Sequence, residues 1–86
     1  MNGRALVAWN VKRIRVGKGI SQERLAYDSG VDRSYLGGLE RSEANPTVDL
    51  LERVAMALNV PIIEFFVEPK RGDKEPDSLK AGRRPG

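Results

Sequence analysis

The sequence contains no cysteine and no histidine, and aromatic residues make up 6% of it. The absence of cysteine excludes disulfides and thiolate metal sites, which is typical of proteins of the reducing cytoplasm. Without histidine or cysteine, zinc fingers, Ser-His-Asp triads and Cys-His dyads are also excluded. Because the carboxylates lie at scattered helix-capping positions, we find no catalytic constellation. We expect a protein that is not an enzyme and that binds neither a metal nor a cofactor.

The sequence also lacks a long apolar run. None approaches the roughly 20 residues that a membrane-spanning helix needs. No signal peptide precedes the first helical pattern. We therefore expect a soluble protein that has no membrane partner and lies in the cytoplasm.

The 86 residues leave room for one small domain. The composition changes after Glu68, because proline, glycine and charged residues dominate the last part of the chain, where Leu79 is the one large aliphatic residue. Such a segment cannot bury enough apolar surface to offset the entropy lost on ordering. The sequence predicts a domain over residues 1–68 and a flexible, disordered basic tail over residues 69–86.

Charge is distributed unevenly along the chain. Residues 1–41 contain eight Lys and Arg against four Asp and Glu, whereas residues 42–69 contain only Arg53 against five acidic residues. The remaining residues, 70–86, contain six basic and three acidic residues. A positive first half is what contact with phosphate groups requires. The alternative is chance clustering on a solvated surface.

Apolar residues recur at helical intervals through the first 68 residues. Val7, Val11 and Ile14 form one stripe of a first helix that begins near residue 3 and ends near residue 17. The further predicted helices cover 22–29, 33–41, 48–58 and 61–66. The inner face of the fourth helix is predicted to consist of Leu50, Leu51, Val54, Ala55 and Leu58. The sequence therefore predicts an all-α fold, a compact domain of five helices.

The second and third helices form a recognisable unit. Ser21 and Asp32 are good N-caps for them, and Gly30 suits the left-handed position that ends the first of the two. Both helices are too short to be stable alone, so they must pack on each other. The residues of the third helix predicted to point inward are Tyr35, Leu36 and Leu39. A small residue, a glycine and apolar residues at these intervals are the helix-turn-helix pattern.

With this pattern, residues 7–66 resemble the phage-repressor (lambda/Cro-like, XRE) family of helix-turn-helix DNA-binding domains. The residues that carry the resemblance are Ile14-Arg15, Ser21-Gln22, Leu25-Ala26, Gly30-Val31, Tyr35-Leu36, Leu39-Glu40-Arg41, Asn45-Pro46, Leu51, Ala55, Leu58 and Val60. The resemblance implies a lambda-repressor-like domain that binds a near-palindromic site on double-stranded DNA as a homodimer. The expected function is therefore that of a sequence-specific transcription regulator, in the first place a repressor.

Three other functions remain open at this point. A restriction-modification controller would have the same fold and also bind DNA. An antitoxin would add a toxin protein as a partner. A protein-interaction domain that has lost DNA binding is a different class, to which Asp32 and the pair Gly37-Gly38 give some weight.

The outward side of the third helix supplies the candidate base contacts, which are Arg33, Ser34, Gly37 and Gly38. In this fold the start of the recognition helix enters the major groove. Arg33 is the best candidate because a guanidinium pairs with guanine O6 and N7 through two hydrogen bonds. A phosphate or solvent contact is the alternative for Arg33. The two glycines depart from the family, and they either let the backbone approach the groove or are merely tolerated.

Candidate phosphate contacts are Ser21, Gln22, Tyr35, Arg41, Lys12 and Lys18. Helix N-termini bind phosphate well, so the amides of Ser21 and Gln22 are suited to it. For the two lysines a solvated helix face is the alternative. The resemblance further implies that Gln22 contacts a phosphate and braces the third helix.

The resemblance also implies a structural ion pair between Arg15 and Glu40, which would fix the recognition helix against the first helix. Ser42 is a departure, because the family usually has glycine after this Glu-Arg pair.

The fifth helix is rich in apolar residues, six in the eight positions 60–67. A short helix can turn only part of such a surface toward its own core, and exposed apolar surface commonly marks an interface. We predict that Ile63, Phe66 and Val67 lie in a homodimer interface. The alternative is that the tail covers Phe66 and Val67.

Overall fold

The computed structural model describes residues 1–70, 72 and 73, and this part of the chain folds as four α-helices and a short 3₁₀ helix. The α-helices are α1 (Gly3–Gly17), α2 (Gln22–Ser29), α3 (Arg33–Glu40) and α4 (Val48–Leu58), and the 3₁₀ helix covers Ile62–Phe66. The described residues contain no strand, so the predicted all-α class is confirmed. None of their helices is long and apolar enough to cross a membrane.

Side-chain caps explain where the helices begin. In each case an oxygen of the residue before the helix accepts a hydrogen bond from a backbone amide of the first turn, at 2.9 to 3.1 Å. The capping residues are Asn2, Ser21, Asp32 and Thr47. Gly30 (φ 70°) and Asn59 (φ 60°) end α2 and α4 in the left-handed conformation. Helix α3 ends at Glu40, one residue earlier than predicted.

The core is built from the predicted stripes. Helix α1 lies against α3 and the 3₁₀ helix, and α2 lies against α3 and α4. The large side chains that are completely or almost completely buried are Val11, Leu25, Leu36, Leu39, Val54, Leu58 and Phe65. Leu50, predicted on the inner face of α4, is only half-buried at its edge.

The orientation predicted for α3 was wrong at two positions. Tyr35 was expected to point inward but is 36% exposed, whereas Gly37 was expected to point outward and is buried. The buried stripe runs through Leu36, Leu39 and Glu40, so the helix is turned by about one residue relative to the prediction. The charged Glu40 belongs to this stripe because it has a buried partner.

The fifth helix is a 3₁₀ helix, not the predicted α-helix over 61–66. Pro61 precedes it in an extended conformation (φ −71°, ψ 149°). Asn10 of α1, which is 1% exposed, holds the far end of this segment. Its Nδ2 donates to the carbonyl oxygens of Phe65 (3.0 Å) and Val67 (2.8 Å). These bonds fix the backbone on both sides of Phe66.

Most of the predicted tail, residues 71 and 74–86, lies outside the described residues. Of the tail, Pro69, Lys70, Gly72 and Asp73 are described. The Lys70 amide donates to Asp73 Oδ2 at 2.7 Å, which forms a turn. The domain boundary after Glu68 stays a prediction.

Ser42 adopts a left-handed conformation, with φ 64°. This conformation is unfavourable for residues with a Cβ and is the reason why glycine suits this position. We expect Ser42→Gly to raise the free energy of unfolding by about 0.5–1 kcal/mol in urea denaturation. As a control, Ser34→Gly places the same change inside α3 and should lower the free energy of unfolding by about 0.5–1 kcal/mol. A loss of stability in Ser42→Gly would contradict this reading of the loop.

Candidate nucleic-acid interface

Hydrogen bonds from Ser29, at the end of α2, and from Arg53 of α4 fix the turn between α2 and α3. Ser29 Oγ donates to the Leu25 carbonyl oxygen at 2.7 Å, and Val31 is buried in the turn. Arg53 of α4 donates through Nε to the Ser29 carbonyl oxygen at 3.2 Å and through Nη2 to that of Gly30. A cation at the carbonyl end of a helix is favourable. Sequence reasoning did not assign Arg53 this role, although it is the single basic residue of the acidic segment 42–69.

A buried polar network joins α1, α2 and α3. Arg15 Nε lies 2.6 Å from Glu40 Oε2 and Arg15 Nη2 lies 2.9 Å from Oε1, with both side chains 3% exposed. Arg15 Nη1 also donates to the Ile20 carbonyl oxygen at 2.7 Å. Gln22 Nε2 donates to Glu40 Oε1 at 3.0 Å. Arg15 and Glu40, which the family resemblance paired, are thus joined by two hydrogen bonds. The network also holds the N-terminus of α2 against α3.

Arg33 and Ser34 lie exposed in the first turn of α3. Arg33 Nε donates to Glu23 Oε2 at 3.2 Å, across from the first turn of α2. The pKa of Glu23 is lowered from its ordinary value, first by a hydrogen bond to its own backbone amide and then by the charge of Arg33. Glu23 is therefore a carboxylate at neutral pH, and it lies beside the best candidate for base recognition.

The other end of α3 presents Arg41. Its Nε and Nη2 each lie 3.2 Å from an oxygen of Glu43, which raises the pKa of Arg41. A Cβ on Gly37 would lie 3.2 Å from Arg41 Nη1 and 3.9 Å from Gln22 Oε1. The missing side chain of Gly37 thus leaves room for Arg41. Gly37, predicted as an outward base contact, is buried, and Gly38 is half-buried beside Arg41 and Glu43.

The remaining candidate phosphate contacts are spread over three helices. Ser21 and Tyr35 are exposed at the starts of α2 and α3, and Gln22 is half-buried and bonded to Glu40. On α1, Lys12 is half-buried, and Lys18 is exposed at the end of the helix. The structure brings Gln22 and Arg41 together at Gly37.

A second surface is apolar. The predicted interface residues Ile63, Phe66 and Val67 are 66%, 45% and 45% exposed. Met56, which is not among the predicted interface residues, is 73% exposed on α4. It lines a shallow depression with Asn59, Val60 and Pro61, directly before the 3₁₀ helix. The helical periodicity of α4 places Met56 outside the inner face of this helix, so its exposure could have been predicted from the sequence. Among the described residues, no group of carboxylates could hold a metal ion.

Two short helices joined at a left-handed glycine, with α3 held against α1, define a helix-turn-helix domain. The sequence model of the helix-turn-helix family matches residues 11–65, and the chain belongs to this family. This confirms the predicted membership.

Similar proteins include bacterial regulators. A hypothetical transcription factor of Neisseria meningitidis is 39% identical over 67 residues, which are 78% of this chain and 63% of that protein. The transcriptional regulator SutR of Escherichia coli is 42% identical over 60 residues, 70% of this chain and 34% of SutR. The chain thus spans less than two thirds of the length of these two relatives.

Solved structures agree with this assignment. The crystal structure of the Neisseria factor superposes with a TM-score of 0.75 at 38% identity, and the match covers 79% of this chain and 78% of that one. The restriction-modification controller C.Esp1396I, solved as a tetramer in complex with its natural 35 base-pair operator, has a TM-score of 0.71 and 39% identity. That match covers 77% of this chain and 87% of the controller.

The buried pair should be required for stability, because removing one partner leaves an uncompensated charge in the interior. We expect Glu40→Gln to lower the free energy of unfolding by about 3 kcal/mol in urea denaturation. Glu43→Gln breaks an exposed pair and is the matched control, with stability expected to stay nearly unchanged. Equal stability of the two variants would show that the network is dispensable.

Proposed function

We propose that this protein is a sequence-specific DNA-binding transcription regulator that acts as a repressor from a near-palindromic operator bound as a homodimer. One observation carries the proposal: Arg33 and Ser34 are exposed in the first turn of α3, while the buried Arg15–Glu40 pair holds the other end of that helix. The start of the second helix of a helix-turn-helix is the part that reads base edges. The regulators among its relatives support the same function.

In this proposal Arg33 reads a guanine, and Ser34 makes a less selective contact with the next bases. Gly38 allows the backbone to approach the groove, whereas the buried Gly37 is no longer a base contact. The proposed phosphate contacts are Ser21, Gln22, Tyr35, Arg41, Lys12 and Lys18. Because its partner is genomic DNA, we place the protein in the bacterial cytoplasm, at the nucleoid.

A restriction-modification controller is the second candidate. The favouring observation is similarity: the controller C.Esp1396I is 39% identical, and the match covers 77% of this chain with a TM-score of 0.71. A controller and a repressor share the chemistry of DNA binding, so the same residues serve in both.

Selection from a random-sequence duplex library tests the proposal. We expect one enriched motif with two half-sites related by a two-fold axis, because a homodimer presents two equivalent recognition helices. The half-site centres should lie about one helical turn, 34–36 Å, apart. If no sequence is enriched, the chain is an interaction domain and not a regulator.

Dimerisation should depend on the apolar surface around the 3₁₀ helix. A charge at Phe66 would be buried without a partner in the dimer, so Phe66→Asp should weaken the dimer at least about tenfold in sedimentation. Helical content should persist, because Phe66 is 45% exposed in the single chain. Val48→Asp, at a residue 69% exposed at the start of α4, is the matched control and should leave the dimer unchanged. A parent that sediments as a monomer at micromolar concentration, free and on a palindromic duplex, would contradict the interface.

A further inference from the structure

The contact between Arg33 and Glu23 uses only part of the guanidinium. Glu23 Oε2 accepts from Arg33 Nε, while Nη1 and Nη2 take no part in the contact. A guanidinium presents its N–H groups as a planar fork. Pairing with guanine O6 and N7 needs two of these donors, side by side. The outer pair of nitrogens therefore stays available when Glu23 holds the inner one.

Glu23 can hold Arg33 because its backbone is fixed in α2, while its side chain, 70% exposed, reaches toward α3. It lies in the first turn of α2, two residues after the Ser21 cap, and α2 is itself tied to α3 through Gln22 and Glu40. Like any exposed glutamate it is charged at neutral pH, and its own backbone amide and Arg33 lower its pKa further. The Arg33 side chain is 53% exposed, so it would otherwise sample many rotamers.

We infer that Glu23 is a positioning residue for base recognition: it holds Arg33 through Nε and directs the two outer nitrogens of the guanidinium to guanine. This inference rests on the proposed DNA-binding function. In this role Glu23 on α2 sharpens the base preference of Arg33 on α3.

The physical basis is the ordering of a long side chain. Arginine loses much rotamer freedom on binding, and part of this loss is avoided when the side chain is held beforehand. Held in this way, Arg33 is also kept from turning to a nearby phosphate, a contact that would carry no sequence information. The carboxylate itself repels phosphate, which weakens binding to every sequence alike. Glu23 thus lowers general affinity and raises selectivity.

An opposite effect would follow if Glu23 were a competitor for Arg33. The ion pair would then have to break before Arg33 could reach guanine. Removing the charge would raise affinity for the selected sequence at least as much as for other sequences. The two roles are therefore distinguished by the ratio of specific to non-specific affinity.

The experiment compares Glu23→Gln with the parent on the selected duplex and on an unrelated duplex of equal length. We expect affinity for the selected duplex to fall about three- to tenfold, as befits one side chain that is no longer preorganised. Affinity for the unrelated duplex should stay equal or rise. At one position in each half-site, the preference for guanine over the other bases should become weaker. Circular dichroism should show unchanged helical content.

Glu43→Gln is the matched control. It removes the same charge from a pair of the same length, 3.2 Å, but at Arg41 and not at Arg33. It should shift the affinity for both duplexes in parallel and leave the base preference as it is.

A mutant cycle shows whether Glu23 acts through Arg33. Arg33→Ala should abolish the preference at that position, and adding Glu23→Gln should then change the preference no further. A Glu23→Gln protein that keeps or sharpens the guanine preference would overturn the positioning role, as would an effect that persists without Arg33. A parent that selects no sequence would instead refute the proposed function itself.

Discussion

The buried pair of Arg15 and Glu40 is the interaction on which the rest of this domain depends. A chain of this size has a small core, and its helices α2 and α3 have eight residues each. Helices of this length are marginal in isolation and depend on tertiary contacts for their stability. The pair joins the end of α1 to the end of α3, and Gln22 extends the same network to the start of α2. The recognition helix is thereby held at its C-terminal end, which leaves its N-terminal turn exposed.

Around this network the carboxylates are divided into two kinds. Glu40 is buried and structural, whereas Glu23 and Glu43 are exposed and pair with the arginines of the candidate DNA face. The positive first half of the chain is therefore partly neutralised where it would contact DNA. Such local pairing limits binding to phosphates in general and leaves the directional contacts of Arg33 to decide between sequences.

Local features of the fold could be predicted from the sequence. The caps Ser21, Asp32 and Thr47 and the left-handed residues Gly30 and Asn59 act within a few residues, so the bounds of α2 and α4 and the start of α3 were right. Two positions of α3 were assigned to the wrong face, because the apolar ring of Tyr35 suggested burial and Gly37 has no side chain to indicate it.

Apart from the Arg15–Glu40 pair, which the family resemblance implied, the contacts between distant residues could not be predicted. Asn10 bonds to carbonyl groups that lie 55 and 57 residues further along the chain, and Arg53 bonds to carbonyls 24 and 23 residues before it. Backbone carbonyls have no sequence signature, so neither side chain could be assigned a partner. The pair of Glu23 and Arg33 depends in the same way on how α2 and α3 cross.

We propose that the N-terminal turns of α2 and α3 form the face that meets DNA. Amide chemical shifts of the ¹⁵N-labelled protein, followed while the selected duplex is added, test it most directly. We expect the largest changes in residues 21–24 and 32–38, with the exposed side of α4 unaffected. Largest changes in α4 or in the 3₁₀ helix, with residues 32–38 unchanged, would contradict it.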